Sequence, residues 1–424
     1  MIRERQICTF GAMSRPLALI FLLGLALRLG AAFVERNAPL VFDAREYAGI
    51  ARNIAERGEF AFEPGRPTAV RPPLYPFFLA VFARLSPGSW AGARAAQAVL
   101  DASTILLIYF FGLGAFGRAR EAAVGAFLYA VHPVFIAYSA HILTETLFVW
   151  LWLAGLLLLA KTVKPGSSLR VAAVTGLVMG LAVLCRPNFM FFPPGAAALL
   201  LAFGRDRARL LSRLGLAVGL CYLTIVPWTL RNRVALGAWG PVAVGGGAAL
   251  WCGSQTLPAS EVPAAVTKLG SEVAVGRGEL AADAEMYRLA KENYRRNAGA
   301  ILRRLPWRLA DFWLTSHSSI MGIDEPLSAY RARGRWGAVA ARAALWALQL
   351  AILALGAVGL WQARSAWTAE GTLTGAAVGY YSLHILTAYW GSRYHLPALA
   401  VLLVFAGAAL LRGADRAGLL PPSA

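Results

Sequence analysis

PLALIFLLGLALRLGAAFVERNAPLVFDAREYAGI, residues 16–50, decides how the rest of the chain is read. Its first part, 16–34, is apolar except for Arg28, and as a helix it can cross a hydrocarbon core of roughly 30 Å. Its second part sets two carboxylates, Asp43 and Glu46, just beyond the mouth of that helix. A carboxylate at that depth is costly unless water, a cation or a reacting ligand meets it.

The same kind of run recurs along the chain. Of 424 residues 58% are hydrophobic and only 15% are charged, which excludes both an ordinary soluble domain and a disordered polymer. Apolar runs lie at about 16–34, 95–116, 121–139, 142–160, 170–185, 189–203, 210–229, 340–361, 372–390 and 395–411. They predict an all-α, polytopic transmembrane bundle of about ten spans. Residues 1–412 read as one membrane-embedded domain, with 413–424 as a cytoplasmic tail. The basic head and apolar body of the first 34 residues have the form of a secretory signal. The run continues past Arg28 and more spans follow, so an uncleaved first helix is expected.

The formal charge of +19 would suggest nucleic acid in a soluble protein. Here most cations sit between apolar runs, so topology and membrane lipids account for them and no nucleic-acid partner is expected. The short joints GRARE (117–121), KTVKPGSSLR (161–170) and GRDRARLLSR (204–213) are basic. By the positive-inside rule these joints and both termini are cytoplasmic, in keeping with an even number of spans. Cys8, Cys185, Cys221 and Cys252 show no paired spacing, and Cys185 and Cys221 read as buried free thiols.

Two segments then lie outside. In 35–94, DAREYAGIARNIAERG has helical periodicity with Tyr47, Ile50 and Ile54 on one side, which suits a helix along the membrane surface. After turn material (EPGRPTAVRPP), LYPFFLAVFARL is too short for a comfortable span and reads as a second interfacial or re-entrant helix. The second segment, about 230–339, opens on glycines that fit no dinucleotide or phosphate loop. It continues as an amphipathic stretch and is expected to be a flexible loop over the outer face.

Polar side chains cluster at the outer ends of the runs. Asp43, Glu46 and Tyr47 follow the first; Arg71 lies in RPPLYP; His141 and Glu145 stand four apart in YSAHILTETLF, expected on one helix face. Arg186 ends the fifth run, Arg231 ends the seventh, and Arg393 and Tyr394 lie between the ninth and tenth. A few acids among many arginines suit an anionic phosphate held while a carboxylate removes a proton. Each residue also has a plain reading. Asp43 could be a helix N-cap, Glu145 a paired carboxylate, an arginine a headgroup anchor and His141 a hydrogen-bonded imidazole rather than a metal ligand.

The order of motifs carries a resemblance: the D-x-x-E-Y of Asp43, Glu46 and Tyr47, RPPLYPFFLA (71–80), HPVFIAYSAHILTETLF (132–148), GLAVLCRPN (180–188), PWTLRN (227–232) and RYHLPALAVLLVFAGAAL (393–410). Together they resemble bacterial family 39 glycosyltransferases, which include protein O-mannosyltransferases and the lipid A aminoarabinose transferase, within the GT-C superfamily. The resemblance implies a polyprenyl-phosphate sugar donor, a lipid, glycan or protein acceptor, and action on the outer face of the bacterial inner membrane. It implies Asp43 as catalytic base and Glu145 as second acid, helping to hold acceptor or a possible divalent cation. No cofactor is otherwise implied. Arg71 stands where protein mannosyltransferases carry the His of a His-Pro-Pro, a departure from that branch. The rival readings are a flippase for lipid-linked sugars, which needs no base, and a membrane scaffold.

Overall fold

The computed structural model describes residues 15–417 except 205, 238, 258–260, 276–277, 365–367 and 388–390. The order begins with helices α1 (Arg15–Val34) and α2 (Asp43–Arg57), hairpin strands β1 (Ala61–Glu63) and β2 (Arg66–Pro67), and helix α3 (Leu74–Leu85). Then follow α4 (Ala91–Phe116), α5 (Ala119–Ala130), α6 (Pro133–Ala140), α7 (Glu145–Thr162), α8 (Leu169–Cys185), α9 (Phe192–Phe203) and α10 (Arg207–Leu236). The remainder is α11 (Gly246–Ser254), α12 (Val262–Ala274), α13 (Glu279–Trp313), α14 (Leu327–Ala332), α15 (Trp336–Ala363), α16 (Ala369–Thr387) and α17 (Leu396–Arg416).

The chain is a multi-pass membrane protein. Among the described residues six helices are long and apolar enough to cross a membrane: α1, α4, α7, α10, α15 and α17 with its preceding turn. A seventh is counted if α5 and α6, bent by 53°, form one broken span. The bend has a sequence cause, since Pro133 supplies no N–H and restarts the helix, with His132 Nδ1 accepting from the Val134 N–H. Each of the ten predicted runs is mostly helical in its described residues, but α8 and α9 are shorter than a full span and α16 is not among the six. Among the described residues, length and apolarity thus support six or seven spans where ten were expected.

α17 and α7 are the most enclosed of the six, and their neighbours come close enough to demand small residues. Gly125 of α5 and Gly407 of α17 touch backbone to backbone, so a Cβ on either would collide with main chain. Gly176 and Gly180 of α8 meet α10 in the same manner. Cys185, Cys221 and Cys252 are buried free thiols; Cys8 lies outside the described residues.

The segment expected outside first, 35–94, folds as two helices around a hairpin before α4 begins. α2 buries Ala44, Tyr47, Ala48, Ile50 and Ala51 and packs on α3. The other segment expected outside, 230–339, departs from the expected flexible loop. It is largely helical (α11, α12, α13) rather than a flexible loop, because tertiary bonds restrain its glycines: the Asp283 carboxylate accepts from the Gly245 and Gly247 N–H groups at 3.0 and 2.8 Å.

Candidate active site

Asp43 is the first residue of α2. The N-cap position belongs to Phe42, in the left-handed region at φ 47°, and no side chain caps the helix, so Asp43 is not an N-cap. Asp43 and Glu46 in the first turn suit the positive end of the helix, and Gly58 closes the other end with φ 70°.

Arg71 reaches this turn from the loop ahead of α3. Its Nη2 donates to Asp43 Oδ1 at 2.6 Å, its Nε to Glu46 Oε2 at 2.5 Å, and its guanidinium lies 5.1 Å from the Tyr47 ring. Arg393, in a 3-10 turn entering α17, donates to the other oxygen of Asp43 and pairs with Glu145 Oε1 at 3.6 Å. Arg186 completes the line. Pro187 ends α8 and keeps Arg186 extended, which turns its Nη2 onto Glu145 Oε1 at 2.6 Å and its Nε onto Thr144 Oγ1 at 2.9 Å. The Tyr394 ring lies 5.2 Å from the Arg186 guanidinium and 5.8 Å from that of Arg393.

The result is one alternating chain, Glu46–Arg71–Asp43–Arg393–Glu145–Arg186, built from five separate segments. Its formal charges cancel. Exposure is uneven along it: the side chains of Glu46, Arg71, Asp43 and Arg393 are 43, 22, 20 and 30% exposed, against 2 and 9% for Glu145 and Arg186. Burial pushes the Asp43 carboxyl up, but Arg393 and Arg71 outweigh it and hold the group below its ordinary value. Burial pushes the Tyr47 hydroxyl well above the usual tyrosine range, so it remains protonated.

Eight of the ten residues singled out from sequence thus meet here. His141 does not join the chain and does not share a helix face with Glu145. α6 ends at Ala140, His141 is extended, and α7 begins at Glu145. Its Nδ1 lies 2.9 Å from the Ala137 carbonyl, the hydrogen-bonded imidazole reading. Arg231 also lies outside the chain. It donates to the carbonyls of Thr68 and Phe60 at 2.7 and 2.9 Å and stacks near Trp228. It borders a cavity of about 450 Å³ that is also lined by Phe60, Phe77 and Trp228.

Sequence reasoning missed Thr144, whose hydroxyl accepts from Arg186, and the support of the Arg393 turn. His395, two residues on, lies 3.0 Å from His317, Nε2 to Nε2, and 3.3 Å from Gln349. Among the described residues no group of three or more His, Cys, Asp or Glu is disposed to hold a metal ion. Arg393 already occupies the place between Asp43 and Glu145 that a bridging cation would take.

The chain of ion pairs forms at one end of the bundle. α7 starts at Glu145 and runs 18 residues, about 27 Å, to the basic 161–170 joint; α8 returns from that joint to Arg186.

Comparison with known proteins bears on this arrangement. Residues 70–230 match the sequence profile of a family described as dolichyl-phosphate-mannose-protein mannosyltransferase, a stretch that holds Arg71, Glu145 and Arg186. No curated protein matches the chain in sequence. The oligosaccharyltransferase of Archaeoglobus fulgidus in its apo form has a similar structure, with TM-score 0.57 and 15% identity over 95% of this chain and 51% of that one. The archaeal oligosaccharyltransferase AglB from the same organism, in complex with an inhibitory peptide and a dolichol-phosphate, gives TM-score 0.56 at 15% identity, with 95% and 51% covered. ArnT from Cupriavidus metallidurans bound to undecaprenyl phosphate gives TM-score 0.48 at 18% identity, with 97% and 82% covered. The chain spans about half the length of the oligosaccharyltransferases it matches. It has their helical fold over 95% of its length, which is the fold the motif resemblance implied.

Proposed function

We propose that this protein is an integral-membrane glycosyltransferase that moves a sugar from a polyprenyl-phosphate donor to an acceptor of the cell envelope, with Asp43 as its base. The observation that carries this reading is a partly open carboxylate shared by two guanidiniums, one of which also pairs with the buried Glu145. The fold it shares with AglB, which is recorded with a dolichol-phosphate, and the mannosyltransferase match over residues 70–230 support it.

The chemistry follows from the charges. The donor is a phosphodiester to the sugar, with one negative charge. As the anomeric C–O bond breaks, its electron pair stays on the phosphate, which leaves as a monoester with more charge than it brought. A fixed guanidinium therefore binds the transition state more tightly than the ground state. Arg393 is suited to this, being the more exposed of the two arginines on Glu145. When it turns from Asp43 to the phosphate, Glu145 keeps Arg186, so no buried carboxylate is left unpaired.

The same exchange readies the base. At rest both oxygens of Asp43 accept from arginines, and a carboxylate held that way is a weak proton acceptor. Loss of Arg393 to the donor frees one oxygen and raises its proton affinity when the acceptor hydroxyl or amine must lose its proton. The acceptor then attacks the anomeric carbon from the face opposite the phosphate, and one displacement inverts that carbon. A divalent cation between Asp43 and Glu145 does not fit while Arg393 stands there, so no step is routed through one. With the basic joints in the cytoplasm of a bacterial cell, the site opens on the outer side of the inner membrane.

The test is purified protein in vesicles given a labelled polyprenyl-phosphate sugar and an envelope extract. Label transferred to an acceptor, with free polyprenyl phosphate released, is the expected outcome. Movement of the intact donor across the bilayer without transfer would overturn the reading in favour of a flippase.

A further inference from the structure

Two residues ahead of Arg71, the chain is gripped from three places in the large outer segment. The Glu279 carboxylate accepts from the Thr68 hydroxyl at 2.7 Å and from the Ala69 N–H at 2.9 Å. The Val244 N–H donates to the Ala69 carbonyl at 2.8 Å, and Arg231 donates to the Thr68 carbonyl at 2.7 Å. Thr68 and Ala69 are buried, although they belong to a loop. The Thr68 hydroxyl passes the restraint on, since it also accepts from the N–H of Val70 at 3.1 Å, and Val70 adjoins Arg71. On the other side of Arg71 stand Pro72 and Pro73, which allow little backbone adjustment.

Arg71 is therefore fixed between a stiff dipeptide and a clamp supplied from more than 160 residues away in sequence. A guanidinium that must reach Asp43 and Glu46 at once tolerates little drift, because each pairing depends on fork geometry. Supports of this kind commonly decide whether reacting groups are held within about 0.5 Å of a productive arrangement.

We infer that Glu279 is a positioning residue: through Thr68 it makes the large outer segment set Arg71, and thereby how strongly Asp43 holds its negative charge. This rests on the reading of Asp43 as the base. Loosening the clamp lets Arg71 withdraw while the burial of Asp43 remains, so the Asp43 carboxyl moves up.

The experiment is the pH profile of sugar transfer by the full chain in vesicles, for wild type, Glu279→Gln, Glu279→Ala, Thr68→Val and Thr68→Ser. The acidic limb should move to higher pH by on the order of one unit in Glu279→Ala and Thr68→Val, by less in Glu279→Gln, and not at all in Thr68→Ser, which keeps the hydroxyl. A support that only stabilises the fold would lower the yield of folded protein and leave the limb in place, and that result would overturn the inference. If the wild type transfers no sugar, the functional reading fails by itself. The inference is then decided by infrared titration of the Asp43 carboxyl, identified by the band lost in Asp43→Asn. An upward move of that band's midpoint in Glu279→Gln and Thr68→Val supports the clamp, and an unmoved midpoint overturns it.

Discussion

Two arginine–aspartate pairs can be set side by side. Deep in the bundle, Arg28 of α1 pairs with Asp101 of α4, donates to the carbonyls of Ala130 and Tyr129 at 2.8 and 3.2 Å, and shares Asp101 with the Tyr129 hydroxyl at 2.8 Å. Neither side chain of the pair has appreciable exposure. At the mouth, Asp43 is paired just as completely, by Arg71 and Arg393, yet a fifth to a third of each of these side chains stays open. The ingredients are the same. Where every partner is protein and both side chains are buried, the pair fastens α1 to α4 and α5. Where one face is open, an incoming anion can exchange for the carboxylate, and the pair becomes a place for chemistry.

The substitution that should break this contrast most sharply is Asp43→Asn. It keeps the shape and removes the proposed base, so transfer should fall on the order of 10²–10⁴-fold while the protein still purifies folded. Turnover measured beside thermal unfolding checks both halves. The counterpart is Arg28→Met, which strands Asp101 inside the bundle. Breaking a buried pair costs about 3–5 kcal/mol, so folded yield should collapse while whatever folds turns over normally. Yield in membranes and activity per folded molecule separate the two roles.

A smaller effect concerns pH. Because the Asp43 carboxyl lies below its ordinary 3.8, its ionised form and the pairing it supports persist above that value and are lost only as pH falls through the lower, folded one. Activity should therefore stay level from pH 7 to about 5 as far as this group is concerned. Arg71→Gln removes a cation and leaves the burial, so the acidic limb should rise by on the order of one unit, read from initial rates across pH. The smallest effect belongs to Glu46→Gln. That carboxylate is the most exposed member of the chain, and an exposed pair contributes roughly 0.2–1 kcal/mol, so rates should change no more than about fivefold.

Much of this was legible in the sequence, and the rest was not, for identifiable reasons. Apolar length gave the helices and put Arg186 at the end of the fifth run, but the turn at Pro187 that aims it was not read from LCRPN. Residue types near the outer ends gave the members of the chain but not their pairing, because Asp43 and Arg393 are 350 residues apart and meet only through the packing of α17. His141 was misplaced because spacing by four implies a shared face only if one helix continues, and here the chain breaks between Ala140 and Glu145. Residues 230–339 looked flexible because GAWGPVAVGGG is rich in glycine; part of what orders them is Asp283, 36 residues beyond Gly247. Arg231 and Glu279 hold loop backbone, and no local pattern announces a partner of that kind.

The most direct measurement is an experimental structure of the full chain with a polyprenyl phosphate bound. The phosphate is expected on Arg393, with that guanidinium turned off Asp43, Arg71 still on Asp43, and Arg186 still on Glu145. A phosphate seated elsewhere, with Arg393 still bridging Asp43 and Glu145, would contradict the account.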